Sequence, residues 1–335
     1  MTSYDVDVGP LAPFLADATV TDILVNGPGP VWVDRGAGVE RTPVVIGDER
    51  TLRRLAQRLV AACGRRLDDA MPHADARLAD GTRIHAVLPP VSPQGTCMSL
   101  RVPPRRAFRL EELVAAGSVP GAGADLLHRL VLARAAFLLT GGTGTGKTTV
   151  LSTLLSLVPD RERIVLVEDA AELRPVHPHV VRLEARAANA EGAGEVDLAD
   201  LVRQALRMRP DRLVVGEVRG AEVRELLAAL NTGHEGGAGT VHANRAEHLP
   251  ARIEALASVA GLSRAAAHSQ LAAAVDAVVH LHRDVTGRRR VTGVGVLGTD
   301  AAGQVTVAPA AVFTRTGVDR GPAAEELDRR LAACS

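Results

Sequence analysis

The clearest chemistry in the sequence belongs to a glycine-rich stretch near the middle of the chain, FLLTGGTGTGKTTV. Its segment GGTGTGKT, from Gly141 to Thr148, matches the phosphate-binding loop pattern G-x-x-x-x-G-K-[ST]. Backbone N–H groups of such a loop turn inward around a phosphate, and the following helix adds the positive end of its dipole. Lys147 can reach the outer phosphates of a nucleotide, and the Thr148 hydroxyl can ligate Mg²⁺. The candidate nucleotide-binding residues are Gly142, Thr143, Gly144, Thr145, Gly146, Lys147, Thr148 and Thr149.

The surroundings of this loop favour a nucleotide site over an ordinary glycine-rich turn. An apolar run precedes the loop at 135–139, and apolar residues at helical spacing follow it, among them Val150, Leu151 and Leu154. The stretch therefore predicts a buried strand, a loop and a helix in that order. The dinucleotide pattern G-x-G-x-x-G is absent from this stretch, which argues against a nicotinamide enzyme.

Carboxylates follow two further apolar runs. Glu168, Asp169 and Glu172 come after IVLV, and Glu217 comes after LVVG. Ligands of open α/β sheets bind at the carboxyl ends of the strands. A phosphate-loop NTPase needs one carboxylate there to hold Mg²⁺ through water and another to orient or deprotonate the attacking water. The candidate metal ligands are Thr148, Asp169 and Glu217.

The second of these runs departs from the usual pattern, in which Asp-Glu ends the strand. Gly216 stands in the place of the Asp, so the missing acid is expected from Glu168, Asp169 or Glu172. Two other interpretations stay open. Glu217 could pair with Arg219 at the surface, and the first acidic cluster could open a helix.

A third polar cluster, NTGHEGGAGTVHAN at 231–244, ends another predicted strand. Small residues surround His234 and His242, so this loop could sense a terminal phosphate by hydrogen bonding and move on hydrolysis. The spacing of the histidines fits no standard zinc pattern, and zinc is not expected.

Three arginines of the N-terminal region are candidates for catalysis. Arg77 and Arg83 lie in DARLADGTRIHAVLPP, and Arg101 lies in SLRV. An arginine directed at the charge that develops during phosphoryl transfer lowers the barrier. Each one alone could be an ordinary surface residue, but the set accompanies a phosphate loop.

Hydrophobic patterning predicts an α/β protein with a small N-terminal α/β domain at 1–103, a linker at 104–118 and an NTPase domain at 119–335. The linker begins within RVPPRR, where two prolines favour an extended path. Its basic residues could be solvated or could contact another domain or a phosphate. The predicted N-terminal elements are strands at 22–26, 31–33, 44–46, 83–88 and 98–102 and a helix at 48–63.

The second predicted domain alternates strands and helices. Runs such as IVLV and LVV indicate strands covered on both faces, hence a largely parallel sheet. An antiparallel meander over 278–308 and a last helix at 323–333 are expected to close the fold. The other predicted elements are strands at 137–140, 164–168, 180–183, 213–216 and 239–242 and helices at 110–116, 124–135, 147–157, 198–208, 221–230, 247–260 and 263–274.

Bulk properties narrow the function class. The 335 residues carry no net formal charge, which gives no whole-chain electrostatic case for nucleic acid. The three cysteines are widely spaced, so neither a disulfide framework nor a zinc ribbon is expected. The N-terminal sequence lacks a basic start and a long apolar run, and no stretch is apolar enough to span a membrane. A cytoplasmic location is expected.

The order of the motifs resembles that of the secretion-superfamily ATPases of type II and type IV systems. GGTGTGKTT, VEDAAEL, HVVRLEAR, RMRPDRLVVGEVRG and the histidine loop follow one another, and VNGP and DARLADGTR precede them. Within that superfamily the chain is most similar to the tight-adherence (Flp pilus) branch, near the conjugal-transfer and type IV secretion motors. The resemblance covers about 20–297.

The resemblance implies a cytoplasmic homo-hexamer that hydrolyses ATP with Mg²⁺ through a RecA-like domain. It implies work on a polytopic inner-membrane platform protein, and so peripheral attachment to the inner face of the membrane. A pilin or a secreted protein would be moved indirectly. It assigns catalytic positions to Glu217, Glu168, Asp169, Glu172, His242, Arg77, Arg83, Arg101 and Arg219.

Two competing functions remain. A conjugal DNA-transfer ATPase shares the core, although the sequence shows no aromatic-basic stripe for stacking bases. A nucleotide-binding scaffold without turnover is disfavoured because no catalytic position has been lost.

Overall fold

The computed structural model describes residues 7–36, 38–103, 106–186 and 193–333. Contacts divide the chain into two compact units, Met1–Arg105 and Arg106–Ser335, each with its own hydrophobic core. Pro104 and Arg105 of the predicted linker lie outside the described residues, as do Ala37 and Cys334.

The first unit is an antiparallel sheet with a helix on one face. Within its described residues the sheet has six strands in the order β3-β2-β1-β6-β5-β4. Its elements are α1 (Ala12–Ala16), β1 (Asp22–Asn26), β2 (Pro30–Asp34), β3 (Val39–Val45), α2 (Glu49–Ala62), β4 (His73–Arg77), β5 (Arg83–Val87) and β6 (Cys97–Arg101).

Helix α2 forms where the sequence predicts it. The Asp48 carboxylate caps the helix by accepting a hydrogen bond of 2.8 Å from the N–H of Thr51. Gly64, with a φ of 69°, takes the left-handed conformation that ends a helix after Ala62. Buried residues of one helix face pack on the sheet; they are Leu52, Leu55, Ala56, Leu59 and Val60.

The second unit is built on a mixed sheet. Within its described residues the sheet has nine strands in the order β15-β14-β13-β12-β7-β11-β10-β8-β9. The strands from β12 to β9 in that order run parallel, and β13, β14 and β15 continue antiparallel. The strands are β7 (Phe137–Gly141), β8 (Ile164–Glu168), β9 (Val180–Glu184), β10 (Arg212–Val218), β11 (Ala238–His242), β12 (Ala277–Arg283), β13 (Arg289–Thr299), β14 (Val305–Phe313) and β15 (Val318–Arg320).

Helices cover both faces of this sheet. Alternate residues of one strand belong to different cores, as Leu139 and Leu138 show. One face packs on α3, α4, α5 and α10, and the other on α6, α7, α8 and α9. The helices are α3 (Leu110–Ala115), α4 (Gly121–Leu132), α5 (Lys147–Leu155), α6 (Leu198–Ala205), α7 (Glu222–Leu230), α8 (Leu249–Val259), α9 (Arg264–Ala274) and α10 (Ala324–Ala333).

Three sequence-based expectations need correction. Strand β4 was not expected, because its apolar positions are alanines, which have weak strand propensity. Helix α4 begins at Gly121 rather than at Ala124, and Gly123 within it packs against Phe313, where an added Cβ would lie 2.7 Å from the ring. Residues 106–118 do not form a free linker, since Leu110 and Leu113 of α3 pack into the core of the second unit.

Candidate functional site

The predicted phosphate loop is a strand–loop–helix turn in the second unit. Strand β7 is buried along its whole length, and α5 begins at Lys147. Gly144 and Gly146 have φ values of 71° and 93°, in the region that favours glycine. A Cβ on Gly141 would lie 2.6 Å from Thr145 Oγ1, so the loop closes tightly on itself. The eight candidate nucleotide-binding residues, 142–149, occupy this loop and the first turn of α5.

Lys147 lies inside the loop. Its Nζ donates hydrogen bonds to the carbonyl oxygens of Gly141, at 3.0 Å, and Gly142, at 2.9 Å. Only 7% of the residue is exposed, and this burial lowers the pKa of the ammonium, an effect that the charge of Glu217 opposes. The ammonium therefore places a compact positive charge at the loop, where it can attract an anion.

The parallel strands bring His242 and Glu217 to the same edge of the sheet as the loop. His242 at the end of β11 pairs with Gly141 at the end of β7. Its Nε2 lies 2.6 Å from Glu217 Oε1, and its Nδ1 lies 3.4 Å from Lys147 Nζ. Burial and the charge of Lys147 lower the pKa of the imidazole, and the charge of Glu217 opposes this shift. His242 therefore links the loop lysine to the strand-end acid.

Glu168 occupies the space that the usual aspartate would take. Its neighbour across β8 and β10 is Gly216, and a Cβ on this glycine would lie 2.7 Å from Glu168 Cγ. A carboxylate of the adjacent strand therefore lies beside the position where β10 lacks an acid. This is one of the sources that the sequence left open.

Burial gives Glu168 unusual protonation behaviour. Its Oε1 accepts hydrogen bonds of 2.9 Å from the N–H groups of Glu172 and Leu173. Its buried Oε2 has no hydrogen-bond partner among the described residues. Desolvation raises the pKa of this carboxyl from 4.5 to about 7, although the two N–H donors oppose the shift. The described residues after Glu168 do not form a helix, so this cluster is not a helix start.

An ion pair joins the ends of β8 and β10. Asp169 pairs with Arg219, so the alternative pairing of Arg219 with Glu217 is not observed. The backbone N–H of Arg219 donates to Glu222 Oε1 at 2.6 Å, which holds the turn after β10. Asp169 therefore reaches the same edge as Glu168 and Glu217.

Arg77, Arg83 and Arg101 form one transverse row in the sheet of the first unit. Arg83 lies directly opposite Arg77 on β4 and opposite Arg101 on β6. Neighbouring residues such as Ala76 and Ile84 face the core, so the arginines lie on the other face of the sheet. Arg101 Nε also lies 3.3 Å from Asp22 Oδ1.

Two basic residues beside the loop were missed. A Cβ on Gly144 would lie 3.5 Å from Arg283 Nη1, and one on Gly146 would lie 3.6 Å from Arg289 Cδ. Both arginines belong to the hairpin between β12 and β13, which the sequence placed in the closing meander. The basic cluster RDVTGRRR was the available signal.

The oxygen donors at this edge fit Mg²⁺. Thr148 supplies a hydroxyl, Asp169 and Glu217 supply carboxylates, and Glu168 Oε2 is a buried oxygen with no partner among the described residues. Within the described chain there is no cluster of His, Cys, Asp and Glu that would hold a metal ion by itself. This arrangement suits Mg²⁺, which uses one or two carboxylates, waters and substrate phosphates.

Comparison with known proteins identifies the family. The family model described as "Type II/IV secretion system protein" matches residues 5–323. The chain belongs to the type II/IV secretion system protein family. This match confirms the resemblance of the motif order to the type II and type IV secretion family.

Relatives within the secretion family align over most of the chain. A "Putative conjugal transfer protein" of Mycobacterium tuberculosis is 58% identical over 295 residues, which cover 86% of this chain and 84% of that protein. The type IV secretion system protein PtlH homolog of Bordetella bronchiseptica is 33% identical and covers 83% and 89% of the two chains. The tight-adherence branch stays a prediction.

A solved structure shares the fold of the chain. The pilus retraction motor PilT, solved with bound ADP, superposes with a TM-score of 0.59 at 18% identity, covering 96% of this chain and 85% of that chain. The expected mixed α/β fold is confirmed. Every helix in the described part of the chain is too short or too polar to cross a lipid bilayer.

The raised pKa of Glu168 predicts a pH-dependent stability. The folded chain binds this proton more tightly than the unfolded chain, so its contribution is full below pH 4.5 and is lost as pH rises through about 7. Glu168→Gln removes the titration. Between acidic pH and pH 8, the free energy of unfolding of the wild type should therefore fall by up to about 3 kcal/mol relative to that of Glu168→Gln.

Urea titrations at several pH values, without nucleotide or divalent cation, measure this difference. Glu247→Gln, at an exposed carboxylate, is the matched control. If the difference in the free energy of unfolding between Glu168→Gln and the wild type does not change with pH, burial does not hold the proton on Glu168.

Proposed function

We propose that this protein is an ATP-hydrolysing motor of a secretion or pilus-assembly system. The observation that carries the proposal is the connected set Lys147–His242–Glu217, which joins a phosphate loop to a strand-end acid. Family membership supports the secretion part of the proposal, because the matching family model describes a type II/IV secretion system protein.

The chain's own groups suggest how the triphosphate is held. The amides of the loop, from Gly142 to Gly146, and the N-terminus of α5 surround the phosphates. Lys147 contributes charge to the outer phosphates, with the Thr148 hydroxyl and the carboxylates of Asp169 and Glu217 directed to Mg²⁺. When bound, Mg²⁺ would neutralise charge that develops on the phosphate oxygens.

Two acids are candidates for activating the attacking water. Glu168 suits the acceptance of its proton, because a base is most effective when its pKa lies near the working pH, and burial raises this pKa to about 7. Glu217 is held by His242, so a change at the terminal phosphate is passed to the histidine loop. Arg219 keeps Asp169 in place, and the backbone of Glu172 orients Glu168.

The assembly is proposed from the family resemblance. Copies of the chain form a homo-hexamer on the cytoplasmic side of the membrane and act on a polytopic platform protein. A pilin or a secreted protein is the cargo, as in the tight-adherence branch. The arginine row of the first unit takes part in catalysis, as the resemblance implies.

Lys147 and Glu217 are predicted to be needed for ATP turnover. Lys147→Ala and Glu217→Gln should each lower ATP turnover by about a hundredfold or more, since each removes a group that contacts the reacting phosphates or the water. Phosphate release measures turnover, and Glu247→Gln is the control. Near wild-type turnover in either variant would refute the assignment of these roles.

The arginine row predicts a kinetic signature. Arg83→Ala or Arg101→Ala should lower kcat by about tenfold or more with a smaller change in ATP affinity, because the guanidinium acts on charge that develops in the transition state. Arg53→Ala is the control, since Arg53 pairs with Asp69 in the same unit. Unchanged kcat in both row variants would remove the row from catalysis.

A conjugal DNA-transfer ATPase is the second candidate. It is favoured by the relative that is 58% identical over 295 residues, which is described as a conjugal transfer protein. A DNA-dependent motor should bind DNA in a salt-sensitive way and should hydrolyse ATP faster when DNA is added. Turnover that does not respond to single-stranded or double-stranded DNA would favour the protein-moving function.

A further inference from the structure

The hairpin between β12 and β13 places two arginines against the phosphate loop. Arg283 and Arg289 lie directly opposite each other in the strand register. Arg283 Nη1 lies 3.5 Å from the Cβ position of Gly144, and Arg289 Cδ lies 3.6 Å from that of Gly146. Each side chain therefore packs next to a different glycine of the loop.

These two guanidiniums lack an ion-pair partner within the part of the chain that the structure describes. The nearby carboxylate of Asp284 is already used: it accepts hydrogen bonds from Thr286 and from the N–H of Arg288, and it pairs with Arg290 at 3.2 Å. Opposed like charges on neighbouring strands are destabilising. An anion bound between them and the loop would offset this repulsion.

Sheet order shows which part of a nucleotide the hairpin can meet. The acids and His242 come from β8, β10 and β11, on one side of β7, whereas β12 flanks β7 on the other side. Water can attack only if the terminal phosphate faces the acids. The nucleoside end then points away from Glu217 and toward the hairpin.

We propose that Arg283 and Arg289 bind the α-phosphate and ribose end of the nucleotide. This proposal rests on the proposed function, because it concerns the same site. ATP and ADP share this end, so the two arginines contribute equally to the binding of substrate and product. They set affinity, whereas the acids on the other side of β7 set the rate.

Alanine variants separate these roles. Arg283→Ala and Arg289→Ala should each weaken ADP and ATP binding by about tenfold, as expected for the loss of a hydrogen bond to a charged group. At saturating ATP, kcat should stay within about threefold of wild type. Binding of inorganic pyrophosphate, which needs only the loop and Lys147, should change by less than about threefold.

The measurements are calorimetric titrations with ADP and pyrophosphate, together with ATP turnover over a range of concentrations. Arg288→Ala is the matched control, because it removes the same charge from the exposed tip of the same hairpin. Thermal unfolding of each variant checks that the fold is retained.

Four results would overturn the proposal. Wild-type ADP affinity in both variants would show that the hairpin does not contact the nucleotide, while the proposed ATPase function would stand. An equal loss of pyrophosphate binding would show only a general effect of charge, and a fall in kcat at unchanged affinity would place the arginines at the reacting phosphate. If the wild-type protein binds no nucleotide, the proposed function fails together with this inference.

Discussion

The contact of His242 with both Lys147 and Glu217 depends on the register of three parallel strands. Gly141 pairs with His242 across β7 and β11, and β11 pairs in turn with β10, which carries Glu217. A slip of one residue would turn His242 to the opposite face of the sheet and break both contacts. Because helices cover both faces of this sheet, such a slip would also expose core residues.

The structure restricts the type of the loop cation, Lys147, as well as its position. Lys147 is the only lysine among 39 Lys and Arg residues, so arginine fills every other position of this type. The Nζ atom lies within 3.0 Å of two backbone carbonyl oxygens. A planar guanidinium could not take this place, because it presents a wide fork of donors, whereas an ammonium is a compact point charge. The composition of the chain favours arginine at basic positions, but the geometry of the loop favours lysine at position 147.

Much of the second unit follows from local patterns. Glycine spacing and flanking apolar runs indicate the strand, loop and helix around Lys147, and the acids at strand ends follow from sheet topology. Contacts between distant segments have no such local signal. The fit of Glu168 against Gly216 joins two strands through a missing Cβ, and a row of arginines appears only when β4 is aligned with β5. Such alignments cannot be predicted from the local sequence of an alanine-rich strand or a hairpin tip, because they depend on partner residues that are remote in sequence.

The packing of Glu168 against Gly216 places a buried carboxylate at the end of the strands. An aspartate on β10 would start from the strand end, whereas Glu168 reaches from β8 over Gly216, with only 4% of its surface exposed. Two N–H donors fix Oε1, so Oε2 is the atom left to respond to its surroundings. Burial raises the pKa of this carboxyl to about 7, and so the group is near its midpoint at neutral pH. A positive charge that arrives near Oε2 favours loss of the proton, and its departure favours return. Gly216 has no side chain, and this leaves room for Glu168. Because the Glu168 carboxyl is buried there, its charge depends on which other charges occupy the site.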